Sequence, residues 1–175
     1  MVSKRLKLYY ISENYIKYLQ QFDYRVPANK NTKRPYIGIV YQYNGFNYFA
    51  PLSSPKEKHL KMDKKAIDIW KIDNGNLGIV NFNNMVPCSL NVLSEVLPTI
   101  SDKKYRKLLE NQIECINRDR DNMLNKIIRF HNKYNTNTLK ENVKNRCCDF
   151  RLLESKCKDY LVSSKKSKTT WQKCI

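Results

Sequence analysis

Glycine is scarce in this 175-residue chain. None of its four glycines stands at the spacing of a phosphate-binding loop or of a dinucleotide-binding fold. Acidic residues are few as well, with 16 Asp and Glu against 33 Lys and Arg, and they do not cluster as the magnesium ligands of a nuclease do. The two histidines, His59 and His131, stand far apart along the chain. The sequence therefore predicts no metal site and no cofactor.

Cysteine motifs and long hydrophobic runs are missing too. The six cysteines form no Cys-x-x-Cys pair, and the adjacent Cys147-Cys148 lacks the spacing of a zinc knuckle, so reduced thiols are expected. No apolar run approaches the ~18 residues that span a bilayer, and the basic N-terminus has neither the apolar stretch nor the cleavage site of a secretory signal. These absences predict a cytoplasmic protein that is not embedded in a membrane.

Positive charge is abundant by contrast. The formal net charge of +17 favours a polyanionic partner, which leaves RNA, DNA and an anionic lipid surface open. An AT-rich genome would by itself encode many lysines, but the excess is concentrated in residues 126–175, as in an electrostatic footprint. With 41% hydrophobic and 11% aromatic residues, the chain has enough apolar side chains to form a core.

The strongest local pattern is a β-hairpin. Apolar and aromatic residues of 36–43 and 46–50 flank Asn44-Gly45, a pair that tolerates the positive φ angles of a type I′ turn. A second hairpin is predicted from residues 67–72 and 77–82 around Asn74-Gly75. A strand over residues 5–11 precedes both, and a short strand or turn is expected at residues 85–88. The segment 90–97 fits either a strand or a helix.

Helical patterns dominate the second half. Ser12 is predicted to cap a short first helix with Phe22 on its apolar side, and a polar loop spans residues 23–35. A long helix should start at Ser101-Asp102 and reach Tyr134, with a kink or turn at residues 117–122. The capping-box pattern of residues 138–141 predicts a last helix ending near Leu161. The result is an α+β fold in one domain, residues 1–162, followed by a basic tail, residues 163–175.

Metal-free cleavage of RNA suits a chain of this composition. The ribose 2′-hydroxyl attacks the neighbouring phosphate, so the enzyme has to orient it, move protons and stabilise charge on the phosphorane. Two clusters at the open end of the first hairpin carry the cations and hydroxyls for this, namely Lys33-Arg34-Pro35-Tyr36 and Ser53-Ser54-Pro55-Lys56. Because paired antiparallel strands end side by side, we expect both clusters at one edge of the sheet.

Simpler interpretations of these clusters exist. Ser-Ser-Pro is also ordinary turn chemistry, and Lys56-Glu57-Lys58 is also a solvated surface. A non-catalytic basic protein that binds RNA or DNA through its phosphates is the main alternative function. A basic structural or ribosome-associated protein with no site is a third. An enzyme would cleave RNA and lose cleavage on substitution of Ser54 or Lys56, whereas a binding module would not cleave at all.

The same segments carry a family resemblance. Residues 33–40, residues 44–59 and the helix around residues 105–112 resemble the ToxN/AbiQ toxins of type III toxin–antitoxin systems, and the likeness extends to about residue 135. The hairpin with the Ser-Ser-Pro-Lys segment is its specific part, whereas the helices are generic. The resemblance implies a compact, strongly twisted antiparallel sheet flanked by helices, similar to the MazF/Kid toxins.

The activity implied by the resemblance is that of a metal-independent endoribonuclease. Its products would carry a 2′,3′-cyclic phosphate and a 5′-hydroxyl. Its inhibitor would be an RNA antitoxin, which the toxin processes from tandem repeats and binds as folded units in a closed toxin–RNA assembly. Cellular or phage RNA would be the substrate, and growth arrest in abortive infection would be the biological role.

Individual residues follow from the family pattern. Its hydroxyl and lysine positions fall on Ser53, Ser54 and Lys56, and its basic residue before the hairpin falls on Lys33. We assign Ser54 to the 2′-hydroxyl or scissile phosphate, Ser53 to a phosphate oxygen, and both lysines to charge neutralisation and proton transfer; the general base stays open. Further residues are expected to contact RNA: Arg34, Tyr36, Lys58, His59, Tyr105, Arg118 and Arg120.

Overall fold

A computed structural model describes residues 5–29, 31 and 33–171 of the chain, with side chains described as far as residue 162. Seven strands run in chain order: β1 (Lys7–Ile11), β2 (Tyr36–Tyr43), β3 (Phe46–Ser53), β4 (Ile69–Lys71), β5 (Ile79–Asn81), β6 (Val86–Pro87) and β7 (Leu93–Glu95). Six α-helices accompany them: α1 (Glu13–Gln20), α2 (Glu57–Lys61), α3 (Lys103–Arg118), α4 (Arg120–Asn135), α5 (Glu141–Lys144) and α6 (Phe150–Trp171).

The described strands form one sheet in the order β4-β5-β3-β2-β1-β7, and β6 also pairs with β3. Every pair of neighbouring strands in it is antiparallel. Helices pack against this sheet; α4 contacts β2, and α6 contacts β6 and α1. The α+β fold with an antiparallel sheet flanked by helices is therefore confirmed, whereas the likeness to MazF/Kid toxins stays a prediction.

The first hairpin forms as its sequence indicates. Asn44 and Gly45 have φ angles of 49° and 80°, and Tyr43 stands opposite Phe46, as a type I′ turn requires. Between Ile37 and Tyr41 the register shifts, since Ile37 pairs with Ala50 but Tyr41 with Tyr48, an irregularity that the alternating pattern did not reveal. Beyond this shift the strands pair again, down to the open end of the hairpin.

The second hairpin forms around Asn74-Gly75, with shorter strands than predicted. Strand β4 covers Ile69–Lys71 and β5 covers Ile79–Asn81, with Lys71 opposite Ile79. A 3₁₀ turn over Ile72–Gly75 follows β4, with φ values of 47° at Asp73 and 54° at Asn74. The Ile72 N–H bonds the carbonyl of Gly78, and the Leu77 N–H bonds the carbonyl of Ile72, so Asn74-Gly75 lies in the loop that joins the strands.

The first helix and the ambiguous segment show smaller differences. Ser12 precedes α1 without a side-chain capping bond, and α1 ends at Gln20, which leaves Phe22 outside the helix and 38% exposed. The ambiguous segment 90–97 contains β7, with a 3₁₀ turn on each side. Tyr15, Ile16 and Leu19 form the buried side of α1, as predicted.

The helices of the second half depart from prediction at both ends of the last helix. The expected break around residues 117–122 is confirmed, since α3 ends at Arg118 and α4 begins at Arg120. The capping box predicted at residues 138–141 is wrong, however, because Lys140 precedes the short α5 without a side-chain capping bond; the last helix begins only at Phe150. Cys147 and Cys148 between them are buried. The Cys148 N–H donates to Asn83 O at 2.8 Å, a tertiary contact that interrupts the helix.

Helix α6 then continues to Trp171, beyond the predicted end at Leu161. Residues 163–171 of the predicted tail are therefore helical in the structure, and residues 172–175 lie outside the described part. The limits of the single domain, residues 1–162, stay a prediction. Among the described helices, none combines the length and the apolar character needed to cross a bilayer.

Candidate active site at the open end of the first hairpin

The backbone brings the two predicted clusters together at the open end of the β2–β3 hairpin. Tyr36 stands opposite Pro51, and the Leu52 N–H donates to the carbonyl of Pro35 at 2.9 Å. Neighbouring strands lie ~4.8 Å apart, so the segment that ends in Lys33-Arg34 and the segment that starts at Ser53 leave the sheet side by side. The two legs of the hairpin are not splayed.

Ser53 is held from the β5 side. It pairs with Ile79, and its Oγ accepts a hydrogen bond from Asn81 Nδ2 at 3.0 Å. Gly78 lies close beneath it, with φ +100°, and a Cβ on Gly78 would stand 2.1 Å from the Ser53 carbonyl oxygen. Ser54 follows with its side chain exposed. One hydroxyl is thus anchored and the next is open to a ligand.

Lys56 lies at the start of the short helix α2. Its backbone is extended (φ −147°, ψ 146°) and its side chain is exposed. A shallow groove runs beside it, lined by Pro55, Lys56, Glu57, Leu60, Gly75 and Asn76. This groove borders the turn between β4 and β5, since Gly75 and Asn76 come from that turn.

Lys33 lies on the other side of the hairpin base. Its backbone N–H bonds Asn29 O, and its exposed side chain lines a groove of about 500 Å³. The remaining lining residues come from β1 and from the approach to α3: Tyr10, Thr99, Ile100, Ser101, Asp102 and Tyr105. The predicted RNA contact Tyr105 therefore shares a groove with Lys33, while Lys56 lies in the other groove.

Tyr10 is a member of this groove that the sequence did not single out. Burial raises the pKa of the Tyr10 phenol, although a hydrogen bond with Thr99 acts in the opposite direction. Burial also raises the pKa of Tyr105, and Tyr10 adds to the effect. Both phenols therefore stay neutral at pH 7. Tyr10 is buried, whereas Tyr105 is half-buried and presents part of its ring to a ligand. The sequence analysis did not identify Tyr10 because the strand pattern does not distinguish it from the other tyrosines of the chain.

Two of the residues predicted to contact RNA have buried side chains, so the prediction of direct contact is wrong for them. Tyr36 is 0% exposed and His59 is 1% exposed, so neither side chain presents a surface to RNA. The backbone N–H of His59 instead bonds the carbonyl of Lys56 at 2.9 Å. Burial lowers the pKa of His59, and Lys58, Lys56 and Lys71 lower it further, which keeps this ring neutral at pH 7.

The remaining cations occupy different places. Arg34 is half-buried and its Nε donates to the Ala28 carbonyl at 2.8 Å, which braces the loop before β2. Lys58 is exposed on α2. Arg118 and Arg120 lie at the α3–α4 junction, where Arg120 pairs with Asp121 at 2.7 Å. As RNA contacts, these four stay predictions.

The described residues contain no group of three or more His, Cys, Asp or Glu side chains placed to hold a metal ion. Two buried carboxylates are engaged elsewhere. Asp23 binds Arg25, and Asp68 binds Arg146 through two of its guanidinium nitrogens, at 2.6 Å and 3.0 Å. At the hairpin base one carboxylate lines each groove, Asp102 beside Lys33 and Glu57 beside Lys56.

Fold and surface together define a basic α+β protein with a net charge of +17 and a lysine in the groove on each side of one hairpin, a class suited to binding polyanions. The family model of the toxin ToxN of type III toxin–antitoxin systems matches residues 7–158. Endoribonuclease ToxN of Bacillus thuringiensis subsp. kurstaki is 30% identical over 163 residues, which cover 88% of this chain and 84% of the relative. Endoribonuclease AbiQ of Lactococcus lactis subsp. lactis is 31% identical, with coverages of 93% and 91%. The chain belongs to the ToxN toxin family.

Solved structures agree with this assignment. The structure of AbiQ, a lactococcal anti-phage endoribonuclease of a type III toxin–antitoxin system, superposes with a TM-score of 0.77 at 26% identity, covering 90% of this chain and 98% of AbiQ. A structure from a type III system in which a non-coding RNA pseudoknot selectively inhibits the toxin gives 0.75 at 30% identity, with coverages of 90% and 98%.

Proposed function

We propose that the protein is the endoribonuclease toxin of a type III toxin–antitoxin system. It cleaves RNA without a metal ion by attack of the ribose 2′-hydroxyl on the adjacent phosphate, leaving a 2′,3′-cyclic phosphate and a 5′-hydroxyl. Membership of the ToxN family, whose relatives ToxN and AbiQ are named endoribonucleases, supports the activity. DNA, which lacks the 2′-hydroxyl, is not a substrate.

The active centre in this proposal is the open end of the β2–β3 hairpin. The observation that carries it is the Leu52 N–H to Pro35 O bond, 2.9 Å long, because it holds the two clusters on adjacent strands. Ser54 contacts the 2′-hydroxyl or the scissile phosphate, and Ser53 donates to a phosphate oxygen. Lys33 and Lys56 approach from opposite sides, neutralise the phosphorane and share proton transfer.

The partner is an RNA antitoxin made of folded repeat units, held with the toxin in a closed assembly in the cytoplasm. A relative of known structure is selectively inhibited by a non-coding RNA pseudoknot, which supports an RNA inhibitor here. A net charge of +17 favours such a partner. AbiQ is an anti-phage enzyme, which supports a role in abortive infection.

The test is cleavage of a defined transcript by the purified protein in EDTA, with the new ends mapped. Ser54→Ala and Lys56→Ala should each slow cleavage about 100-fold or more while RNA binding is largely kept, because each removes stabilisation of the transition state. Lys61→Ala is the matched control, since Lys61 is exposed on the same short helix and pairs only with the exposed Glu57 among the described side chains. A wild-type protein that binds RNA but never cleaves it would favour the non-catalytic alternative.

A further inference from the structure

A cationic groove of about 650 Å³ lies between β4 and α4, away from Lys33. The residues from the β4 side are Lys64, Lys65, Ile67 and Trp70, and those from α4 are Lys126, Arg129, Asn132 and Lys133. We refer to these eight residues as the Trp70 groove. Five of them are cations and none is acidic. None of these eight residues belongs to the proposed active centre, on either side of the hairpin base.

The cations of the Trp70 groove are not in direct contact with carboxylates in the described part of the chain, although Asp68 and Asp63 act on Lys126 from a greater distance. Within the part of the chain that the structure describes, none of the five forms an ion pair. Lys126, Arg129 and Lys133 follow one another along one face of α4, over about 10 Å. A row of unpaired cations on one helix face matches the repeated charge of a phosphate backbone.

Trp70 gives this row of charges an aromatic surface. Its indole is half-buried, and the Lys126 Nζ lies 5.9 Å from the ring centroid while donating to Lys64 O at 3.2 Å. Burial lowers the pKa of Lys126; Arg129 lowers it too, while Asp68 and Asp63 raise it. Asp68 is bound by Arg146, and neither Asp68 nor Asp63 forms an ion pair with Lys126 within the described residues, so a phosphate would add a direct counter-charge. Cations beside an aromatic ring are the usual elements of single-strand recognition.

The Trp70 groove continues toward Lys56. An adjoining depression shares Lys64, Trp70 and Lys126. It adds the cations Lys71 and Arg118, the carboxylates Asp73 and Asp119, and the uncharged Asn74 and Cys115. The turn that contains Asn74 also supplies Gly75 to the groove beside Lys56. A continuous surface therefore leads from the hairpin base, across the β4–β5 turn, to Trp70.

We propose that the Trp70 groove binds a single-stranded segment of RNA, with one base stacked on Trp70 and its phosphates on the cations from β4 and α4. The segment is continuous with the strand at Lys56, and in this respect the inference rests on the proposed function. An acidic protein would satisfy the cations but would leave the indole unused, whereas every nucleobase offers a flat face to it. This groove binds RNA without taking part in its cleavage.

Intrinsic fluorescence tests the stacking directly. Trp70 and Trp171 are the two tryptophans of the chain, so in Trp171→Phe the emission reports Trp70 alone. The probe is a 2′-O-methyl oligoribonucleotide, which is not cleaved because its methylated 2′-oxygen cannot attack the neighbouring phosphate. We expect quenching that follows the binding isotherm measured by anisotropy. In the full chain, Trp70→Ala should weaken binding about tenfold or more, and Trp70→Phe should weaken it less.

Arg129→Gln keeps the proposal testable if Trp70→Ala folds poorly, since Arg129 is exposed. It should lower the slope of log K against log salt by about 0.7, whereas Lys107→Gln, an exposed cation on α3 outside the groove, should not. The inference would be overturned if the emission of Trp70 stayed unquenched when the protein was saturated with the oligonucleotide. It would also be overturned if the two glutamine variants changed the salt slope equally. Quenching by a protein that cleaves no transcript would overturn the proposed activity and leave the groove standing.

Discussion

Gly78 shows how one residue without a side chain sets the position of a proposed catalytic segment. Its φ of +100° is rare for other residues, and a Cβ there would meet the Ser53 carbonyl at 2.1 Å. Gly45 in the hairpin turn also has a positive φ, +80°, but a Cβ on Gly45 would meet no atom within 4 Å. A side chain at Gly45 would therefore meet backbone strain alone, whereas a side chain at Gly78 would meet the same strain and a clash with Ser53.

Substituting both glycines tests that separation. Gly45→Ala should cost about 1–2 kcal/mol, the strain of a left-handed backbone, and should cleave RNA at the wild-type rate. Gly78→Ala should cost more and should slow cleavage, because Ser53 and Ser54 must move. Urea denaturation and single-turnover cleavage measure the two effects. Equal cleavage rates in the two variants would show that the position of Ser53 does not matter for the reaction.

His131 is a second residue whose surroundings decide its chemistry. It is 1% exposed, packed 4.7 Å from the rings of both Tyr41 and Tyr43, and its Nδ1 lies 3.0 Å from Asn135 Nδ2. Burial lowers the pKa of His131 to about 4. Between pH 6.5 and 4 the unfolded chain therefore binds a proton at this residue that the folded chain does not.

The free energy of unfolding should consequently fall as the pH drops through that window, with His131 contributing about 3 kcal/mol in all. His131→Phe keeps a ring of similar shape and cannot titrate. The difference in stability between wild type and this variant, measured by urea denaturation from pH 7 to pH 4, should change in the variant's favour as the pH falls. Parallel curves would contradict the assignment of a neutral, buried imidazole.

Secondary-structure elements were predictable where the signal was local. The Asn44-Gly45 turn encodes its own geometry, and the strands on either side follow from it. The break before Phe150 has a tertiary cause that a local pattern does not contain, the bond from the Cys148 N–H to Asn83 O, and the register shift between Ile37 and Tyr41 left no local signal. The same holds for the candidate site. The predicted hairpin was enough to place Lys33 and Ser54 at the same edge of the sheet. Tyr10, in contrast, lies near Lys33 only because β1 pairs with β2, which the sequence pattern does not show.

The carboxylate of Asp23 holds the start of α6 in place. Its carboxylate accepts hydrogen bonds from Arg25 Nε at 2.8 Å and from the Asp149 N–H at 2.7 Å, next to the first residue of the helix. Burial alone would raise the pKa of Asp23, but these hydrogen bonds lower it on balance. A charged group buried in this way ties the loop after α1 to the last helix.

Asp23→Ala should destabilise the protein by about 3 kcal/mol, because it leaves Arg25 and the Asp149 N–H without their acceptor. Glu110→Ala removes one member of the exposed Arg106–Glu110 pair on α3 and should cost less than about 1 kcal/mol. Chemical denaturation compares the two. Similar losses would mean that the carboxylate of Asp23 is replaceable by solvent.

The molecule as a whole distributes its charge in a way that suits one long polyanion. Lys33 lies on one side of the hairpin base, Lys56 on the other, and the Trp70 groove continues from Lys56 along α4. A net charge of +17 attracts RNA over this whole surface, while the hydroxyls of Ser53 and Ser54 are confined to one point on it. Binding is therefore spread over the surface, and cleavage is local.

The most direct test of metal-free attack by the 2′-hydroxyl uses two transcripts that differ by one oxygen atom. Once the cleavage site of the wild-type protein is mapped, a single 2′-deoxynucleotide is placed on its 5′ side. We predict that this transcript binds with nearly unchanged affinity and is not cut at that position, in EDTA as in buffer. Cleavage that persists at the deoxy position, leaving a 5′-phosphate, would contradict this mechanism.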